Sequence, residues 1–99
     1  MHDLEIAAEA SRDLEDILQF SIEQFGNETA VRYFNMLEHT MMQLRSFPRS
    51  GPIVAGITPK MRCLRAGSHR IFYTCDNAMV TIRRVLHQAM RPDERLGGA

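Results

Sequence analysis

Between Met61 and Met90 the chain reads MRCLRAGSHRIFYTCDNAMVTIRRVLHQAM, and two tight turns cut this stretch into three pieces. Gly67-Ser68 and Asp76-Asn77 are each flanked by runs rich in Ile, Val, Phe, Tyr and Thr, the signature of hairpins with very short loops. The C-terminal half is therefore predicted to be an antiparallel meander. Such a sheet needs its apolar face covered by whatever precedes it.

The precursor is helical. From Ala8 to Phe25 the apolar residues Leu14, Ile17, Leu18, Ile22 and Phe25 recur at three- and four-residue steps, with Arg12, Glu15, Asp16, Gln19 and Glu23 between them. A second stretch, Glu28 to Ser46, repeats the pattern with Ala30, Phe34, Leu37, Met41 and Leu44. Gly26 ends the first helix and Asn27 is placed to cap the second, so the two form an antiparallel hairpin. Ala7 stands at the first N-cap without a side-chain acceptor, at a cost of about 1 kcal/mol relative to a capped helix. Ahead of it, His2 to Ala7 is a short strand candidate. Pro48 stops the second helix, and Pro48 to Pro59, with three prolines and two glycines, is a loop leading back to the sheet.

Two-residue turns fix an expected register. Arg65 then faces Arg70, which faces Arg83, while Leu64, Ile71, Tyr73, Val80, Ile82 and Leu86 share the face turned to the helices. The other face carries Cys63, Arg65, Arg70, Phe72, Thr81, Arg83 and Val85. Three like charges opposed on neighbouring strands destabilise a sheet unless a counter-charge arrives, so a ligand or partner is expected at Arg65, Arg70 and Arg83. Cys63 and Cys75 fall on opposite faces and read as free thiols.

Zero formal net charge conceals a polarised chain. Residues 1–47 hold nine acids against three arginines, and residues 48–99 hold nine bases against three acids. A cationic half of this kind steers an acidic partner or nucleic acid to one side of the molecule, or complements the chain's own acidic half. Ninety-nine residues make one domain, 1–99, that buries roughly 60–65% of its unfolded surface. No apolar run approaches the roughly 18 residues of a membrane span, and the N-terminus is acidic where a secretory signal is basic. A cytoplasmic protein with no membrane association is the expectation.

Residues for chemistry are sparse. RNA cleavage requires a base for the 2′-hydroxyl, an acid for the leaving oxygen and cations at the phosphate. The cations are present, but the acids of the C-terminal half are turn or tail residues and no tyrosine follows Tyr73. His69 reads as a turn-flanking residue and His87 as a strand-closing one; neither has the second ligand that a metal site needs. Arg84 suits the sheet edge, paired with a helix carboxylate, as well as it suits partner contact. Met41, Met42 and Met90 are core filler or the lining of an adaptable groove.

Taken together, GSHRIFYxxDNAMVTIRRVLHQAM resembles the C-terminal sheet of the RelE/ParE toxin superfamily, and its RVLH ending is most similar to the ParE branch. The resemblance extends upstream through Asp13-Leu14-Glu15-Asp16-Ile17 and the Phe47-Pro48-Arg49 helix stop. It implies an α+β fold: an N-terminal strand, then a two-helix antiparallel hairpin packed on one face of a small, mainly antiparallel sheet. It also implies the toxin of a type II toxin-antitoxin pair, inhibiting DNA gyrase and replication without catalysis. A ParD-like antitoxin would hold it in a tight, hetero-oligomeric complex, with DNA touched only through the antitoxin. Where some RelE-type ribonucleases carry a His-Tyr pair, this chain has His87-Gln88. A ribosome-dependent mRNA endoribonuclease of that branch, or a non-toxic relative that only binds antitoxin, are the alternatives. No catalytic residue, metal or cofactor is expected; the target- or antitoxin-binding candidates are Arg65, Arg70, Arg83, Arg84, His87, Met90 and Arg91.

Overall fold

In the computed structural model, which describes residues 1–96, the expected end of the domain at Ala99 lies outside the described residues. Strand β1 (Asp3–Ile6) leads into helices α1 (Ala8–Phe25) and α2 (Asn27–Gln43), then into β2 (Arg62–Ala66), β3 (His69–Cys75) and β4 (Met79–His87), with a short α3 (Pro92–Arg95) after them. The sheet order is β1-β4-β3-β2. The meander is antiparallel throughout, and β1 joins β4 as its one parallel pair. The α+β architecture is the expected one.

Local boundaries shift for identifiable reasons. Gly26, with φ 85°, is itself the N-cap of α2, and Asn27 is already helical rather than capping. The second helix ends at Gln43 rather than Ser46, because Leu44, Arg45 and Ser46 tighten into three-residue bonds to the carbonyls of Met41, Met42 and Gln43. Ala7 occupies the α1 N-cap without a side-chain bond.

The hairpin register departs from expectation in two steps. At the first turn Ala66 pairs with His69 across Gly67-Ser68, and Gly67 supplies a positive φ of 58°. The second turn centres on Asn77-Ala78 rather than Asp76-Asn77. Asp76 closes it, its Oδ1 accepting the N–H groups of Ala78 and Met79 at 2.8 Å each, which holds the carboxylate below its ordinary range. That change slides β4 by two residues and preserves its faces, so Tyr73 meets Ile82. A β-bulge then adds one residue: Tyr73 pairs with Ile82 but Phe72 with Arg84, leaving Arg83 as the extra residue. Beyond it every side chain changes face. Arg70 is opposite Leu86, not Arg83; Val85 joins the helix-side core, and Leu86 goes to the far side.

Two cores result. Leu14, Leu37, Met41 and Leu44 from the helices pack on Ile71, Tyr73, Val80, Ile82 and Val85. On the opposite face Phe72 and Leu86 are covered by Ile57 and Met61, with Val54, Cys63 and Leu96 beside them. The loop after Pro48 is therefore a lid on a second small core, and the face turned away from the helices is partly covered by it. Its attachment is specific: Gly51 N–H donates to the Tyr73 hydroxyl at 2.9 Å, and a Cβ at Gly51 would lie 2.6 Å from the Cys63 carbonyl oxygen. Cys63 and Cys75 are free thiols in the two different cores, and burial pushes the Cys63 thiol up.

Candidate functional site

The arginines are largely engaged by the chain itself. Arg65 and Arg70 do face each other across β2 and β3. Arg70 lies over the Phe72 ring and sends Nη2 to the carbonyls of Gln88 and Met90, at 3.3 and 2.8 Å, while Arg65 donates to the Gln88 side chain. The turn after β4 is thus tied down by guanidinium groups, with its carbonyls as the dipolar counterweight. Arg83, on the bulge, is exposed and donates to Thr74 Oγ1 at 3.1 Å. The three arginines do not form one facing cluster.

Arg84 turns around the sheet edge. β1 stops at Ile6, opposite Ile82, so β4 is unpaired on that side from Arg83 onward. Asp13 of α1 takes over: its carboxylate receives Arg84 Nε at 2.7 Å, Arg84 Nη2 at 3.0 Å and the Val85 N–H at 2.9 Å. One side chain thereby neutralises a half-buried cation and terminates a strand edge. Arg84 also donates through Nη1 to the Arg95 carbonyl, fastening α3.

The accessible apolar surface lies elsewhere, in a groove of about 610 Å³ between the helical hairpin and the β2–β3 turn. Ile17, Phe20 and Phe25 of α1 line one wall, and Tyr33, His69, His87 and Met90 line the rest, with Asp16 at the rim. Phe20 and Phe25 are 59% and 65% exposed, so Phe25 belongs to this groove and not, as its spacing suggested, to the core. His87 and Met90, named from the sequence, sit here; Arg91 is exposed at the N-cap of α3.

Tyr33, His69 and His87 form a connected set on the groove floor. The Tyr33 hydroxyl accepts the Ser68 N–H at 2.9 Å and shares a 2.6 Å hydrogen bond with His69 Nδ1. The His69 ring meets Tyr33 and His87 edge-on, each at 5.5 Å between centroids, and His87 Nδ1 accepts the Ala89 N–H at 3.1 Å. Burial, with the neighbouring His87 adding to it, pushes the His69 imidazole below its ordinary value. Tyr33 and His69 escaped the sequence reading because α2 periodicity marks Phe34, not Tyr33, and His69 resembles any turn neighbour. The one available hint was Phe20, a large aromatic on the polar side of α1.

Residues 4–92 match the family model described as ParE toxin of type II toxin-antitoxin system, parDE. The chain belongs to the ParE toxin family. It is 34% identical over 88 residues to Toxin ParE1 of Mycobacterium tuberculosis (strain CDC 1551 / Oshkosh), an alignment covering 88% of this chain and 90% of that one. Toxin ParE1 of Caulobacter vibrioides (strain ATCC 19089 / CIP 103742 / CB 15) is 33% identical over 92 residues, covering 93% and 95%. The fold is shared with a solved structure described as the chromosomal ParDE TA system from P. aeruginosa, at TM-score 0.76 and 18% identity, covering 88% of this chain and 96% of that one. A ParE-family toxin implies an antitoxin partner. Among the described residues no helix is long and apolar enough to cross a membrane, and no His/Cys/Asp/Glu group could hold a metal ion.

Proposed function

We propose that this ParE-family toxin acts by binding protein, with DNA gyrase as its target, and that a ParD-like antitoxin silences it by laying an apolar helical segment in the groove of Phe20, Phe25 and Met90. The observation that carries this reading is the division of labour between surfaces. Arg70 is held by two backbone carbonyls and Arg84 by Asp13, whereas the accessible groove presents Ile17, Phe20, Phe25 and Met90. Apolar grooves of this kind suit an amphipathic helix read through a few anchor residues.

The Tyr33–His69–His87 set is the feature that favours the ribonuclease alternative, since a hydroxyl and two imidazoles are acid-base groups. It opens into an apolar groove rimmed by Asp16, which repels rather than attracts phosphate. Gyrase inhibition without catalysis, in the cytoplasm, is accordingly the reading we adopt, with DNA contacted only through the antitoxin.

Induced expression is expected to arrest replication and elicit a DNA-damage response, and the purified toxin to inhibit supercoiling or trap cleaved DNA in a gyrase assay. Codon-positioned mRNA cuts on ribosomes with gyrase unaffected would transfer the protein to ribonuclease chemistry. Inertness in both assays, with antitoxin still bound, would make it a non-toxic relative.

A further inference from the structure

Both histidines on the groove floor are held through Nδ1 by hydrogen bonds with their neighbours. Ala89 presents its N–H to His87 Nδ1, so a neutral His87 carries its ring proton on Nε2, and His69 Nδ1 shares a 2.6 Å hydrogen bond with the Tyr33 hydroxyl, which also accepts the Ser68 N–H. Protonating His87 sets an Nδ1–H against the Ala89 N–H. A protonated His69 can only donate at Nδ1, so the Tyr33 hydroxyl must then accept from both His69 and the Ser68 N–H. Either event places a charge 5.5 Å, centroid to centroid, from the other ring.

The charged groups around the pair come from several elements. Asp16 of α1 lines the groove, and a smaller adjoining cleft adds Asp13, Arg84 and Arg95 to the groups facing both rings. Asp13 is bound bidentately to Arg84, and among the described residues lining the two clefts Asp16, exposed at the rim, is the other carboxylate.

We propose that the Tyr33–His69–His87 set makes antitoxin docking pH-dependent: the groove holds an apolar segment more tightly while His69 is neutral than when it carries a proton. This rests on the antitoxin reading above. Ile17, Phe20, Phe25 and Met90 require apolar anchors from the occupant, and Asp16 at the rim complements a basic residue beside them. Covering the floor removes the imidazoles further from water, which favours their neutral forms. By linkage, docking is full above the range in which His69 titrates and weakens as pH falls through it. Burial already gives the free toxin the same sign: His69 is depressed from its ordinary 6.5, so the unfolded chain binds more protons just below that pH, and stability is complete above it and falls on acidification.

The test is calorimetry of the toxin with its cognate antitoxin at pH 7.5 and 5.5, using the wild type and a His69→Gln/His87→Gln variant. Affinity of the wild type is expected to fall severalfold between the two values, with about 10-fold as the ceiling for one linked proton on a group that titrates below its ordinary 6.5 in the free toxin, and the variant is expected to be nearly flat. Histidine ring resonances followed by NMR on the wild type, free and bound, give a second readout independent of how the variant folds. The His69 midpoint is expected to move to lower pH in the complex. A flat wild-type affinity, an equal slope in wild type and folded variant, or an unmoved midpoint overturns the switch. Absence of binding at both pH values overturns the antitoxin reading itself, and the switch with it.

Discussion

The arginine-bearing face and the histidine-floored groove are built from the same strands, yet they solve opposite problems. On the first, charges that look unbalanced in sequence are met by carbonyl oxygens and by Asp13, so the cations hold the end of the chain in place. On the second, the polar groups satisfy one another and the apolar ones do not: Phe20, Phe25 and Met90 are left in water. A conspicuous charge is therefore a poor guide to a binding surface when backbone acceptors lie within reach, whereas large aromatics uncovered beside a hydrogen-bonded floor mark a surface awaiting a partner.

The sharpest way to break this contrast is Asp13→Ala. Side chains only 14% and 22% exposed form the Asp13–Arg84 pair, so removing the carboxylate strands a mostly buried guanidinium and an unpaired Val85 N–H. A loss of about 3 kcal/mol is expected in urea unfolding, with Asp13→Asn intermediate because its amide oxygen still accepts one bond. A loss below about 0.5 kcal/mol would place Arg84 among solvated surface cations and return it to the list of partner contacts.

Next in size is the effect on binding of opening the groove wall. Phe20→Ser and Phe25→Ser change residues already more than half exposed, so stability should stay within about 0.5 kcal/mol. Antitoxin affinity should nevertheless fall by about 2 kcal/mol for each, the scale of an interface anchor. Unchanged affinity in both would show that the partner uses another surface and that exposure here is incidental.

Most of the architecture was legible from Met61 onward because short turns and β-rich runs leave few alternatives, and α1 was readable from Ala8 to Phe25 from its periodicity alone. What sequence could not reveal was the bulge at Arg83. A two-residue slip and a one-residue insertion look identical in a string of β-formers, but only the second moves Val85 and Leu86 to new faces and separates Arg83 from Arg70. The bulge falls where β1 ends, a tertiary event 75 residues distant in numbering from the pairing it disturbs, as the Ala7 N–H bond to the Ile82 carbonyl shows. His87 and Met90 were found by position, whereas Tyr33 joins them through a fold contact with His69 that no local pattern encodes.

The smallest expected difference separates two arginines that the sequence treats alike. Arg70→Gln removes two bonds to the carbonyls of Gln88 and Met90 and the stacking on Phe72, while a shorter amide cannot reach both acceptors. About 1–1.5 kcal/mol of stability should be lost, accompanied by faster amide exchange over residues 88–90 as the turn loosens. Arg83→Gln gives up one exposed bond to Thr74 Oγ1 and should stay within about 0.5 kcal/mol of the parent. Parallel denaturation of the two variants checks the ordering. Equal, near-zero losses would mean that Arg70 is as solvated as Arg83 and that the cationic face is again a candidate for an acidic partner; a large loss for Arg83→Gln would mean that the bulge depends on its guanidinium rather than on the ending of β1.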